Sequence, residues 1–167
     1  MKNLVVSCLF LLFGTASLQA QTAFSQWDIF KTDRFGFSMK YPDSWVMNEK
    51  GNGDYTFKNE VAERGSFRLW VEEKSDSSEA VSVLKSEETA NAGARFSALN
   101  DRCMVVYKTM SLLRGKDMET HHWTIAYKNK VLHCSFTYEA KKRTDANLKD
   151  EIVLAYQMIE SITFYKP

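Results

Sequence analysis

The residues of this 167-residue chain with the most chemistry to offer are three histidines, two downstream cysteines and a few acidic pairs. His121 and His122 are adjacent, and His133 falls on what reads as the next strand. Neighbours on a strand point to opposite faces, so His121 and His122 cannot hold a metal together. A tight hairpin at Asn129-Lys130 would pair Lys128 with Val131 and place His133 opposite Ala126. His122 is then about 13 Å further along the strand, too far for shared ligation. No metal site and no cofactor is expected, and the histidines read as members of a partly solvated sheet face.

Cys103 and Cys134 form an even pair in the body of the chain. If the last three strands make a meander, the strand "METHHWTIAYK" lies between them, and two strand spacings put them about 9–10 Å apart. A disulfide needs Cα atoms within roughly 7 Å, so two free, buried thiols are expected. Nucleophilic catalysis finds no Gly-x-Ser-x-Gly elbow. Ser82 to Lys85 spells Ser-x-x-Lys, but mid-helix and without companion motifs. Glu72-Glu73 and Glu87-Glu88 read as solvated faces, and "GNG" at 51–53 as a turn rather than a phosphate loop. No catalytic residue is assigned, and the chain is not expected to be an enzyme. The candidate binding residues are Arg68, Trp70 and Glu72, where an aromatic shares one strand face with two charges, the composition of a partner-binding anchor.

The elements that must position these residues follow from periodicity. Phe35, Phe37, Met39 and Tyr41 alternate with Gly36, Ser38 and Lys40, a strand that Pro42 ends and over whose corner Trp45 packs as an apolar clamp. Tyr55-Thr56-Phe57 and "GSFRLWVEEK" give two more strands, the latter with Phe67, Leu69 and Val71 facing the core. Ser75 or Asp76 caps a helix carrying Ala80, Val83 and Leu84, stopped at Gly93. "RCMVVYKTM", "METHHWTIAYK" and "VLHCSFTYEA" are three further strands. The last helix, capped at Thr144 or Asp145, repeats Leu148, Ile152, Ala155, Ile159 and Ile162 on one face. The expected fold is α+β, an antiparallel sheet of about six strands in the order β-β-β-α-β-β-β-α, flanked by helices.

Residues 1–20 have the layout of a secretory signal peptide: Lys2, an apolar run from Leu4 to Phe13, then small and polar residues to Ala20. The run is short for a membrane span. Cys8 stands at its start rather than its end, which speaks against lipidation. The mature chain would begin at Gln21, with 21–33 an irregular lead-in and 34–167 a single domain. Losing Lys2 leaves equal numbers of basic and acidic residues, a balance that argues against nucleic acid as a partner. The product is expected outside the cytoplasm, periplasmic or secreted, with no membrane insertion once the signal is removed.

"GFSMKYPDSW" near the start, the two three-strand blocks around a helix, and "MIESITF" at the end resemble the Mog1/PsbP-like superfamily. Tyr41, Pro42 and Trp45 match its opening, and Ser161 and Ile162 its ending, so the resemblance covers about residues 34–164. It implies the fold above and a largely non-enzymatic role in binding or assembly. Chaperone relatives work in the cytoplasm, which the signal peptide contradicts, and no functional residue is carried over, because members share a fold and not a site. The expectation is therefore an extracytoplasmic binding or assembly protein acting on a protein partner. The alternatives are a small-ligand or lipid carrier with a cleft between helix and sheet, or an immunity-type inhibitor of a secreted toxin.

Overall fold

Alternating apolar residues and well-capped helices build two sheets and two long helices. The computed structural model describes residues 26–166 except 63, 100 and 101; the proposed signal peptide and residues 21–25 lie outside the described residues. A three-stranded antiparallel sheet holds β1 (Trp27–Thr32), β2 (Phe37–Pro42) and β10 (Thr163–Phe164), in the order β1-β2-β10. The larger sheet holds β3 (Val46–Gly51), β4 (Asp54–Lys58), β5 (Gly65–Glu73), β6 (Arg95–Leu99), β7 (Arg102–Leu113), β8 (Lys116–Tyr127) and β9 (Lys130–Glu139). Its order is β3-β4-β5-β9-β8-β7-β6, antiparallel throughout. Helix α1 (Ser77–Ala90) separates β5 from β6, and α2 (Ala146–Glu160) follows a short 3-10 turn at Ala140–Lys142.

The α+β class holds, with ten strands in place of about six. The lead-in expected to be irregular contains β1, which pairs with β2 from Trp27 opposite Pro42 to Thr32 opposite Phe37. Strand β3 was hidden for a simple reason: every one of its residues is exposed, so it has no buried alternation to read.

One face of the large sheet supplies Phe67, Leu69, Trp123, Ile125, Leu132, Cys134 and Phe136 to the main core. The small sheet closes it with Phe30, Phe37 and Met39, and α2 with Leu148, Ala155, Met158 and Ile159. Trp45, 3% exposed, stacks on Phe136 with ring centroids 6.0 Å apart. Its backbone N–H donates to the Pro42 carbonyl, so the corner is held by its own backbone as well as by packing. The other face is covered in part by α1, whose Ala80 and Leu84 meet Val105, Tyr107, Ala126 and Val131.

The N-terminal caps stand where their residue types direct, whereas α1 ends at Ala90, short of the expected stop at Gly93, and α2 ends at Glu160, which leaves Ile162 beyond the helix. Asp76 accepts from the backbone of Ser78 and Glu79, while Glu79 reaches back to Ser75 N–H. Asp145 accepts from Asn147 at the start of α2. At its end Ser161 Oγ donates to the Met158 carbonyl and accepts from Lys40 N–H, which ties the helix to β2. Gly65 is required by packing: a Cβ there would meet the Phe136 ring at 2.3 Å.

Candidate functional site

Strand β5 carries the three residues singled out for binding, and the structure joins them through a fourth. Arg68 donates to both carboxylate oxygens of Asp54, at 2.9 and 2.8 Å, and its guanidinium lies 4.9 Å from the Trp70 ring centroid. Trp70 stacks on His133 at 4.7 Å and 7°. His133 Nε2 is 3.4 Å from Glu72 Oε2, and Glu72 also pairs with Lys74. The result is a row of Arg68, Trp70, His133 and Glu72 along the sheet face beside α1. Arg68 and Glu72 are exposed and Trp70 is half-buried. Hydrogen bonding from Arg68 holds the Asp54 carboxyl low, and Lys74 does the same for Glu72. Burial pushes the His133 imidazole below its ordinary value, with Glu72 pulling the other way.

The expected hairpin register is corrected by the structure. Lys128 and Asn129 form the turn, Tyr127 pairs Lys130, and His133 lies opposite Thr124 rather than Ala126. Lys128 takes a φ of 52°, and Asn129 clasps Lys74 through both its side chain and its carbonyl, anchoring the turn to the exit of β5. His122, opposite Ser135, thus lies diagonally next to His133 on the same face. It stacks on Tyr107 at 4.5 Å and pairs with Thr109 Oγ1 at 2.9 Å, while Tyr107 donates to Glu87 at 2.6 Å. Glu87, read as part of a solvated face, is an acceptor beside the sheet. His121 points into the opposite layer, 3.3 Å from both Glu119 and the Tyr138 hydroxyl. Glu119 is buried and held by Arg143, with Lys108 3.7 Å away. Among the described residues no three His, Cys, Asp or Glu side chains are grouped to hold a metal ion.

Strand β8 does separate the two cysteine strands. Cys103 faces Ala126 and Cys134 faces Trp123, so the two thiols also stand on opposite faces. Both are free, Cys134 buried and Cys103 only half-buried, a partial correction to the expectation of two buried thiols.

A second feature was not singled out from the sequence. A cleft of 1280 Å³ opens between α2 and the Tyr-Pro corner, lined among others by Trp27, Asp43, Trp45, Arg64, Asp150 and Glu151. Glu151 is only 5% exposed, and its Oε2 has no partner among the described residues. Its Oε1 lies 3.5 Å from Arg64 Nη1, and Arg64 also meets Asp145 at 3.5 Å. Burial raises the Glu151 carboxyl above its ordinary value, against the opposing charge of Arg64. The signal for Glu151 was present: it stands three residues after Leu148 and four before Ala155, on the buried helix face.

The family model described as "Domain of unknown function (DUF3805)" matches residues 27–166. Among solved structures, a crystal structure from Bacteroides thetaiotaomicron VPI-5482 is similar over 83% of this chain, with 23% identity and a TM-score of 0.65. This chain covers 48% of that one, about half its length. LpqN of Mycobacterium tuberculosis, described as involved in cell envelope biogenesis, is similar at a TM-score of 0.55 and 13% identity over 84% of this chain and 91% of its own. The Saccharomyces cerevisiae Ran-binding protein Mog1p follows at 0.51 and 10%, over 84% and 96%. No curated protein matches. The fold is Mog1/PsbP-like, and at these identities the likeness concerns the fold alone.

Proposed function

This chain belongs to the DUF3805 family, and from that premise we propose that it is a non-enzymatic, extracytoplasmic binding or assembly protein acting on a protein partner through the β5 face. The observation that carries the reading is the row of Arg68, Trp70 and Glu72 on the sheet face beside α1, with Arg68 and Glu72 exposed and the half-buried Trp70 backed by buried His133. Its aromatic is held by stacking and its arginine by a bidentate carboxylate, so neither needs much ordering on contact. Tryptophan and arginine are the residue types that most often dominate protein interfaces. The same fold serves a Ran-binding protein in yeast and a protein of mycobacterial envelope biogenesis; those roles are precedents for binding, and their partners are not carried over. The extracytoplasmic placement rests on the signal-peptide layout of residues 1–20, and the absence of catalysis on the lack of a catalytic motif.

The test is affinity capture from the native envelope with the chain from Gln21, in wild-type and Trp70→Ala forms, followed by titration of the purified candidate. A genuine partner is expected to lose about thirtyfold in affinity with Trp70→Ala, the effect of an interface hot spot. Capture that is indifferent to both Trp70→Ala and Arg68→Ala would reject the reading. Gene neighbourhood separates the immunity-type version of it from the others. A second reading, a small-ligand carrier, is favoured by the cleft holding Glu151. Its charged lining suits a polar ligand better than a lipid chain, and a ligand that raises the melting temperature of wild type but not of Glu151→Gln would support it.

A further inference from the structure

The β7–β8 hairpin outruns the sheet that carries it. The last rung between β8 and β9 pairs Met118 with Glu139, while β7 and β8 go on pairing to Leu113 opposite Lys116. Arg114 and Gly115 close the tip with φ of 50° and 76°. Residues 111–117 are all exposed. Met110, Leu112 and Leu113 stand 57%, 72% and 56% exposed. Strand alternation places Met110 and Leu112 on one face of the hairpin and Leu113 on the other. A flat partner covers only one of those faces, whereas a fluid apolar interface surrounds both.

The charge around the tip points the same way. Lys108, Arg114, Lys116, Lys141 and Arg143 lie on or beside it, against Asp117, Glu119 and Glu139. Glu139 is bracketed by Lys116 at 2.6 Å and Lys141 at 2.8 Å, and Glu119 is buried under Arg143. Five cations against three carboxylates leave a local surplus of two in a chain whose total is only +1. Long basic side chains can lie along an apolar surface while their charges reach headgroups.

We propose that the tip of the β7–β8 hairpin docks the protein on an anionic lipid bilayer, with Leu112, Leu113 and Met110 entering the interface and the surrounding lysines and arginines meeting headgroup phosphates. The contact is peripheral; no helix among the described residues is long and apolar enough to cross a membrane. It does not rest on the β5 surface. Trp70 is level with Thr124 on β8, eight residues and about 26 Å along the strand from Lys116, so the two surfaces are occupied, and tested, separately.

The test uses the chain from Gln21, which keeps every described element, with vesicles of phosphatidylcholine alone or with a third of the lipid replaced by phosphatidylglycerol. Wild type is expected to sediment with the anionic vesicles, to be left in solution by the neutral ones, and to be released by salt. Arg114→Gln with Lys116→Gln should weaken binding about 25-fold, at roughly fivefold for each cation near the surface. Leu112→Asp with Leu113→Asp should abolish sedimentation with an unchanged circular dichroism spectrum, and Trp70→Ala should not alter it. Leu112→Trp adds a direct readout, an emission shifted to the blue on anionic vesicles. Failure of wild type to bind anionic vesicles, binding that ignores lipid charge, or binding that survives the double aspartate variant would each overturn the proposal. So would loss of a captured protein, rather than of vesicles, in the tip variants, which would make the tip a protein interface.

Discussion

Replacing Trp45 by alanine tests whether the Tyr-Pro corner serves the fold or the function. The indole is 3% exposed and stacked on Phe136, which is itself fully buried. A buried aromatic removes about 200 Å² from water, worth about 5 kcal/mol at 25 cal/mol per Å². Alanine keeps a little of that, and the vacated space adjoins the cleft, so water can enter and spare part of the cavity cost. The expected loss is therefore about 3–5 kcal/mol. With a urea slope of about 2 kcal/mol per molar for a domain of this size, the midpoint should fall by about 2 M. Parallel unfolding curves followed by circular dichroism measure it. A midpoint lowered by less than about 0.5 M would refute the clamp, because the indole would then contribute little more than a surface residue. A stable Trp45→Ala protein that no longer bound its partner would refute it more directly, moving the corner from fold to function.

Gly65→Ala should cost about 2 kcal/mol, because the new Cβ would meet the fully buried Phe136 ring at 2.3 Å; thermal unfolding reads it, and an unchanged melting temperature would mean that β5 and β9 can part at no cost. Burial raises the Glu151 pKa in the folded chain, so the folded state favours the protonated carboxyl. The stability this gives is full below the ordinary carboxylate range and falls as pH rises through the raised pKa. Glu151→Gln should therefore match wild type in acid and exceed it at neutral pH; a variant weaker by the same amount at both would make the carboxylate a structural partner of Arg64. Thiol titration of the chain from Gln21, denatured without reductant, should find both Cys103 and Cys134. In the native chain only half-buried Cys103 should react, since burial pushes the Cys134 thiol far up; finding no thiols in denaturant would contradict the β9-β8-β7 order.

Much of the frame was legible because it is written in periodicity. Phe37 and Met39, or Phe67 and Leu69, are buried at alternate positions, as their spacing requires, whereas Phe35 is buried from the turn that precedes β2. Asp76 and Asp145 cap because a short carboxylate before a helix has bare N–H groups within reach. Strand β1 was read as irregular because Asp28 and Lys31 interrupt its alternation, and β10 is too short to announce itself. Its hydrogen bonds come from β2, a partner that local sequence does not display. The β8–β9 turn lies one residue earlier than expected, which moves the pairing by two, for a similar reason. Asn129 is fixed by Lys74, a residue distant in sequence, and that contact outweighs the preference for asparagine at the first turn position.

Of the candidate site, residue types and faces were readable, and contacts were not. Alternation alone placed Arg68, Trp70 and Glu72 on one face of β5. That His133 completes the row depends on the pairing of β5 with β9, which are separated in the chain by a helix and three strands. Glu151 lay on a helix face that its spacing marks as buried, but its unpartnered oxygen and the cleft beside it exist only where α2 meets the corner. The sequence by itself determined the class of the fold, where each long helix begins and which side of the clearly alternating strands is apolar, because those follow from local sterics, capping and a period of two or 3.6 residues. Only the tertiary structure decided which charged and aromatic side chains meet, since that depends on strand order and register, quantities set by the energy of the whole core rather than by any one segment.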